Sequence, residues 1–137
     1  TRGLAKKINA DLAILDKRRP QAGKSQVMNI IGDVKNKDCI IVDDIMDSGG
    51  TIVNAAEALS KKGAQNIYVF ITHAVLSGDA INKIKKSKIK KLVITDSIDN
   101  SKRIKNVSKI QVLSIAPLMA EAIKRISNST SVSDLFN

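Results

Sequence analysis

Five short apolar runs punctuate the chain: LAIL from Leu12, CIIV from Cys39, IYVFI from Ile67, LVIT from Leu92 and VLSI from Val112. Those at Cys39, Ile67 and Leu92 are nearly continuous in apolar or β-branched residues, the pattern of strands covered on both faces. Between the runs the apolar spacing turns helical. Residues 51–62 (TIVNAAEALSKK) place Ile52, Ala55, Ala56 and Leu59 on one face, with Glu57 and Lys61 as an i, i+4 pair and Gly63 as a stop. Residues 116–127 (APLMAEAIKRIS) carry Pro117 in the first turn and Lys124 and Arg125 near the end, where a cation complements the helix dipole. Their apolar positions Met119, Ala122, Ile123 and Ile126 predict a packed stripe. Strand alternating with helix predicts an α/β fold, a parallel sheet flanked by helices. Residues 17–23 and 97–108 read as loops, and residues 128–133 as a small polar tail.

Composition narrows the class. The 137 residues, 43% hydrophobic, suffice for one domain with a real core, and no stretch reads as a membrane span. The single cysteine, Cys39, cannot form an internal disulfide; among Ile40 and Ile41 it reads as a small buried thiol of a reducing compartment, the cytoplasm. Against 13 acidic residues stand 23 basic ones, a net charge of +10 that suits nucleic acid, a membrane surface or a phosphorylated small molecule. Aromatic content is only 2%, and Tyr68 and Phe70 fall inside a strand pattern, so no base-stacking platform is predicted. The lysines at residues 83–91 (KIKKSKIKK) read as a solvated face. No nucleic-acid or membrane partner is therefore expected, and a phosphorylated small molecule remains.

The densest chemistry lies in residues 40–51, IIVDDIMDSGGT. Ligands of open parallel sheets bind beyond the carboxyl ends of strands. There a glycine turn entering a helix offers backbone N–H groups and the positive end of a dipole to an anion, with Ser48 and Thr51 adding hydroxyls. Asp43 and Asp44 repel phosphate but accept hydrogen bonds from vicinal sugar hydroxyls, or hold Mg²⁺ directly or through water. A pentose 5-phosphate has both ends. The competing reading is that the aspartates cap the helix and Gly49-Gly50 merely turns.

VDDIMDSGGT resembles the phosphoribosyl-binding signature of type I phosphoribosyltransferases and ribose-phosphate pyrophosphokinases. LAILDKRRP (12–20) is similar to the catalytic flexible loop of the pyrophosphokinases, VMNIIGDVKNKDCIIVDD and THAVLSG to segments of their core, and LMAEAIKRISNSTSVSDLF to their C-terminus. The resemblance covers essentially the whole chain. It implies a type I phosphoribosyltransferase-like domain, residues 1–137 being the C-terminal portion of a two-domain enzyme whose N-terminal half is absent.

That family transfers the diphosphoryl group of Mg·ATP to the 1-hydroxyl of ribose 5-phosphate, giving phosphoribosyl pyrophosphate and AMP. By resemblance, Asp47, Ser48, Gly49, Gly50 and Thr51 hold the 5-phosphate. Asp43 and Asp44 hold the ribose hydroxyls and organise the water shell of Mg²⁺, and Lys17 and Arg19 descend on the reacting phosphates, Arg19 also reaching the sugar phosphate. The family commonly has threonine where this chain has Ser48, which keeps the hydroxyl. Ser131, Val132, Ser133 and Phe136 match the region where regulated members bind inhibitory nucleotide or activating phosphate; a frayed polar tail is the other reading. The resemblance further implies a homo-oligomer, commonly a hexamer, with most ATP-recognition and metal-coordinating residues upstream, so that this piece alone has little or no synthetase activity. His73 is assigned no chemistry and is expected in a hydrogen-bonded role.

AGKS at residues 22–25 mimics a Walker loop but has Arg18 where that loop needs glycine, and is set aside. Three rivals remain. A nucleobase phosphoribosyltransferase would share DDIMDSGGT but not DKRRP. A non-catalytic regulatory relative would be expected to lose Lys17 or Arg19, and both are present. A basic nucleic-acid-binding module would need the aromatics this chain lacks.

Overall fold

The computed structural model describes residues 2–18 and 27–136. Arg19 and the AGKS stretch lie outside the described residues. The elements run α1 (Arg2–Lys7), β1 (Ile14–Arg18), β2 (Val27–Ile31), β3 (Asp38–Met46), α2 (Gly50–Lys61), β4 (Asn66–Ala74), α3 (Ala80–Lys86), β5 (Lys91–Thr95), α4 (Ser101–Ile104), β6 (Ile110–Leu113) and α5 (Ala116–Ser127), with a 3₁₀ turn at Ser133–Leu135.

Strands β3 to β6 form one parallel sheet in sequence order, with Asp38 opposite Asn66, Val69 opposite Leu92 and Leu92 opposite Ile110. The chain is thus α/β with a parallel sheet flanked by helices, as the alternation predicted. The first apolar run departs from that expectation. Only Ile14 and Leu15 of LAIL enter a strand, and β1 pairs antiparallel with β2 in a separate ladder running from Ile14–Ile31 to Arg18–Val27. Lys17 is therefore a strand residue opposite Met28, not part of a loop.

Strand order decides which face is covered. A sheet that advances in one direction through right-handed crossovers puts every connecting helix on the same side. Accordingly Ile41, Val69, Ile71, Leu92, Ile94 and Ile110 share one core with Ile52, Ala55, Ala56 and Leu59 of α2 and Ala80 and Ile84 of α3. Ile104 and Val107, in and after α4, close the far end of that core. The alternate strand positions point the other way. Ile40, Val42, Phe70 and Leu113 are exposed, and no crossover helix packs on them. The expectation of strands covered on both faces is corrected: continuous apolar runs make both faces apolar, but only one is buried here.

Helix α5 brings a second correction. Its bounds match the predicted segment, yet it buries no residue, and Met119, Ile123 and Ile126 lie exposed with Ala122 half-buried. Polar contacts hold it instead. Arg125 Nε donates to Glu121 Oε1 at 2.9 Å, and Ile115 N–H donates to Asp96 Oδ1 at 2.9 Å beside the helix entry. A hydrogen bond from the Ser114 side chain, with this one from Ile115, holds the Asp96 carboxyl below its ordinary value.

Helix α2 agrees with its prediction in the buried face, the Glu57–Lys61 pair at 3.6 Å, and Gly63 at a left-handed φ of 90°. Strand β3 lies at the sheet edge, flanked by a groove of about 560 Å³ lined by Leu4, Ile8, Leu12, Cys39 and Val42. Cys39 is half-buried there, and burial pushes its thiol pKa up. Among the described residues no helix is long and apolar enough to cross a membrane.

Candidate functional site

Strand β3 carries the chain to Met46, which is buried, and delivers Asp43 and Asp44 to the exposed carboxyl end of the sheet. Asp43 Oδ1 accepts the Asp44 N–H at 3.0 Å, a local bond that leaves the second carboxylate of the pair facing solvent. Residues 47–49 then turn into α2. Gly49 is the N-cap, at φ 75°, and no side chain caps the helix. The reading of Asp43 and Asp44 as caps is therefore not what the structure adopts. The Gly49 carbonyl accepts the Val53 N–H at 3.0 Å, the first helical bond. The N–H groups of Gly50, Thr51 and Ile52 precede it and have no helical carbonyl to reach. They form the positive end of the helix dipole, an arrangement able to receive an anion.

The two glycines do different work. A Cβ on Gly49 would meet Met46 Cε at 2.9 Å, and the left-handed backbone there disfavours any side chain. A Cβ on Gly50 would meet nothing within 4 Å. The fold requires glycine at 49; at 50 only the approach of something from outside would.

The turn rests on the β4–α3 connection, a support the sequence reading missed. Val75 and Leu76 N–H groups donate to the Met46 carbonyl at 2.9 and 3.2 Å, and Ser77 N–H to the Asp47 carbonyl at 3.1 Å. Leu76 is fully buried with a φ of 52°, so packing holds a strained residue to make this brace. THAVLSG gave the signal only in its Ser-Gly end; a left-handed leucine has no signature. From α3, Lys83 Nζ donates to the Ser48 carbonyl at 3.3 Å. The lysine-rich pattern of residues 83–91 predicts a solvated face; Lys83 instead reaches back to this turn.

His73 sits beside Ile45 on the neighbouring strand. Its Nδ1 lies 3.0 Å from Ser97 Oγ, which donates to the Thr72 carbonyl at 2.9 Å. This is the hydrogen-bonded role expected of it.

Lys17 lies in β1 next to the end of the antiparallel ladder, and Arg19 follows beyond the described residues. At the C-terminus, Ser131 Oγ pairs with Ser133 Oγ and Asp134 Oδ1, each at 3.1 Å, and Arg125 holds the Ser131 carbonyl at 2.8 Å. Phe136 is exposed, and its carbonyl accepts from Lys7 at 2.7 Å. The structure thus brings together Asp43, Asp44, Asp47, Ser48, Gly49, Gly50 and Thr51 in one strand-turn-helix, with the Ser131–Phe136 tail as a separate cluster on α5.

Among the described residues no group of three or more His, Cys, Asp or Glu could hold a metal ion. Two adjacent carboxylates are nonetheless a donor set that Mg²⁺ accepts, since it keeps several waters and takes its remaining ligands from substrate phosphates.

Comparison with known proteins gives consistent results. Residues 9–137 match the phosphoribosyl synthetase-associated domain. Ribose-phosphate pyrophosphokinases of Brucella melitensis and Hyphomonas neptunium are 57% and 55% identical over 99% of this chain and 44% of each relative. The crystal structure of phosphoribosylpyrophosphate synthetase from Mycobacterium smegmatis superposes with a TM-score of 0.82 at 32% identity, over 93% of this chain and 41% of that one. The chain spans less than half the length of these relatives. The matched segment is residues 9–137 in this chain's own numbering, which carries the family and not the narrower expectation of a C-terminal portion.

Proposed function

This chain belongs to the family of the phosphoribosyl synthetase-associated domain, and from that premise we propose that its strand-turn-helix is the ribose 5-phosphate site of a ribose-phosphate diphosphokinase. The observation that carries the reading is the juxtaposition of an uncapped helix N-terminus at Gly49-Gly50 with exposed carboxylates at Asp43 and Asp44 on the same strand exit. One end suits phosphate, the other hydroxyls.

In this reading the N–H groups entering α2, with the hydroxyls of Ser48 and Thr51, hold the 5-phosphate. Asp47 shapes the turn through its carbonyl bond to Ser77. Asp43 and Asp44 accept hydrogen bonds from the ribose hydroxyls and so fix the direction of the 1-hydroxyl. Lys17 and Arg19 supply cations where oxygen charge develops on the reacting phosphates. The 1-hydroxyl oxygen bonds to the β-phosphorus of ATP as the bond from that phosphorus to the α–β bridging oxygen breaks. AMP leaves with that oxygen, and the hydroxyl proton passes to solvent or a base. Mg²⁺, when bound through Asp43, Asp44 and phosphate oxygens, would neutralise part of the phosphate charge.

ATP binding, assembly into a homo-oligomer, and regulation by phosphate or a nucleoside diphosphate at Ser131, Val132, Ser133 and Phe136 belong to the same proposal. So does the expectation that this chain alone turns over little or no substrate. The test is Asp44→Asn: ribose 5-phosphate should bind about tenfold more weakly, the loss of a charge-assisted hydrogen bond. Unchanged affinity would remove the carboxylates from sugar binding.

A further inference from the structure

We propose that Lys83 is a positioning residue that locks the Ser48–Gly49 peptide and thereby aims the Gly49 N–H at the bound phosphate; this rests on the sugar-phosphate reading of the site. The Lys83 ammonium donates to the Ser48 carbonyl at 3.3 Å. Among the described residues there is no cis peptide bond, so in this peptide the carbonyl and the following N–H point in opposite directions. With the carbonyl held toward α3, the Gly49 N–H must point away from α3, to the open side of the turn.

That orientation needs holding. A peptide followed by glycine flips readily, because no Cβ restricts the φ of that glycine. The rest of the turn is fixed from the same direction. The β4–α3 connection grips the Met46 and Asp47 carbonyls at 2.9–3.2 Å, and Ala80 of α3 lies 3.8 Å from where a Gly49 Cβ would stand. The Ser48 carbonyl is the next one along the chain, and Lys83 takes it. A cation on the carbonyl also polarises the peptide, which strengthens its N–H as a donor to an anion. Lys83 stands behind the peptide and need not touch phosphate; it is exposed like Lys85 and Lys86 on the same helix and differs from them in its bond to the Ser48 carbonyl.

The test compares Lys83→Met, Lys83→Arg and Lys85→Met with the wild-type chain, titrating ribose 5-phosphate and, separately, inorganic phosphate. The Gly49 amide resonance is followed in parallel. Lys83→Met should weaken both ligands by a similar factor, about tenfold for one charge-assisted bond. It should also abolish the shift of the Gly49 amide on phosphate addition. Lys83→Arg should restore both, and Lys85→Met, with the same loss of charge, should stay within about twofold of wild type, as exposed charges act weakly at a distance. Wild-type affinity and an unaltered Gly49 shift in Lys83→Met would overturn the lock while leaving the sugar-phosphate reading intact. An equal loss in Lys85→Met would overturn it too, in favour of bulk charge. A wild-type chain that binds neither ligand would overturn the sugar-phosphate reading and the lock with it.

Discussion

The two faces of the β3–β6 sheet are built from similar residues and meet opposite fates. On one, Val69, Leu92 and Ile94 are fully buried against α2 and α3. On the other, Ile40, Val42, Phe70 and Leu113 are exposed, one residue along each strand from a covered position. Helix α5 repeats the contrast with α2: both are twelve-residue amphipathic helices, but α2 buries four apolar residues and α5 none. The difference lies in connectivity. Residues joined by a crossover between adjacent strands are covered by the helix of that crossover, while the opposite face must wait for something else to reach it. The proposed sugar-phosphate turn is carried by β3, α2 and the α3 brace.

Truncating one apolar residue on each side of the sheet, Leu59 of α2 and Phe70 of β4, should break the symmetry most visibly. Leu59→Ala, on the covered side, should cost about 2–5 kcal/mol in urea unfolding, the range for deleting a buried leucine. Phe70→Ala, on the open face, should cost well under half as much. Equal losses would mean that the open face is packed in solution.

The glycine pair sharpens the contrast at the site itself. Gly49→Ala should destabilise by about 1 kcal/mol, the cost of a left-handed residue with a Cβ. Gly50→Ala should leave unfolding unchanged yet weaken ribose 5-phosphate binding, because its new methyl meets only the ligand. A stability loss at Gly50, or intact binding there, would contradict that division.

Smaller still is Ile126→Ser on α5, expected within about 0.5 kcal/mol of wild type because the side chain is exposed. The least effect belongs to Asp96. Hydrogen bonds from Ser114 and the Ile115 N–H hold its carboxyl below the ordinary value of 3.8. Its contribution is therefore present above pH 3.8 and lost as pH falls through the lower folded value. Asp96→Asn should flatten the acid limb of the stability profile slightly; an identical limb would remove this contact from the acid response.

The same contrast explains how much was legible in the sequence. Helical spacing, the Glu57–Lys61 pair and Gly63 located α2 almost to the residue, because these are local signals acting within one helix. The strand-turn-helix from Asp43 to Thr51 was equally legible as geometry, since its residues are contiguous. Coverage was not, because a continuous apolar strand states that both faces are apolar and says nothing of which one a helix reaches. The β1–β2 ladder was missed as well: Asn29 interrupts the apolar run of β2, and LAIL in isolation looks like one more parallel strand. The brace from Leu76, Ser77 and Lys83 was invisible for a third reason, since carbonyls of one loop held by N–H groups and an ammonium of another leave no trace in residue type.

The central claim is that the turn from Asp43 to Thr51 is a cradle for a sugar phosphate. Calorimetric titration of ribose 5-phosphate into this chain with Mg²⁺, beside inorganic phosphate and AMP, tests it most directly. Saturable binding of ribose 5-phosphate is expected, tighter than inorganic phosphate because Asp43 and Asp44 add hydroxyl contacts, with AMP weaker than ribose 5-phosphate. A folded chain that binds ribose 5-phosphate no better than inorganic phosphate would contradict it.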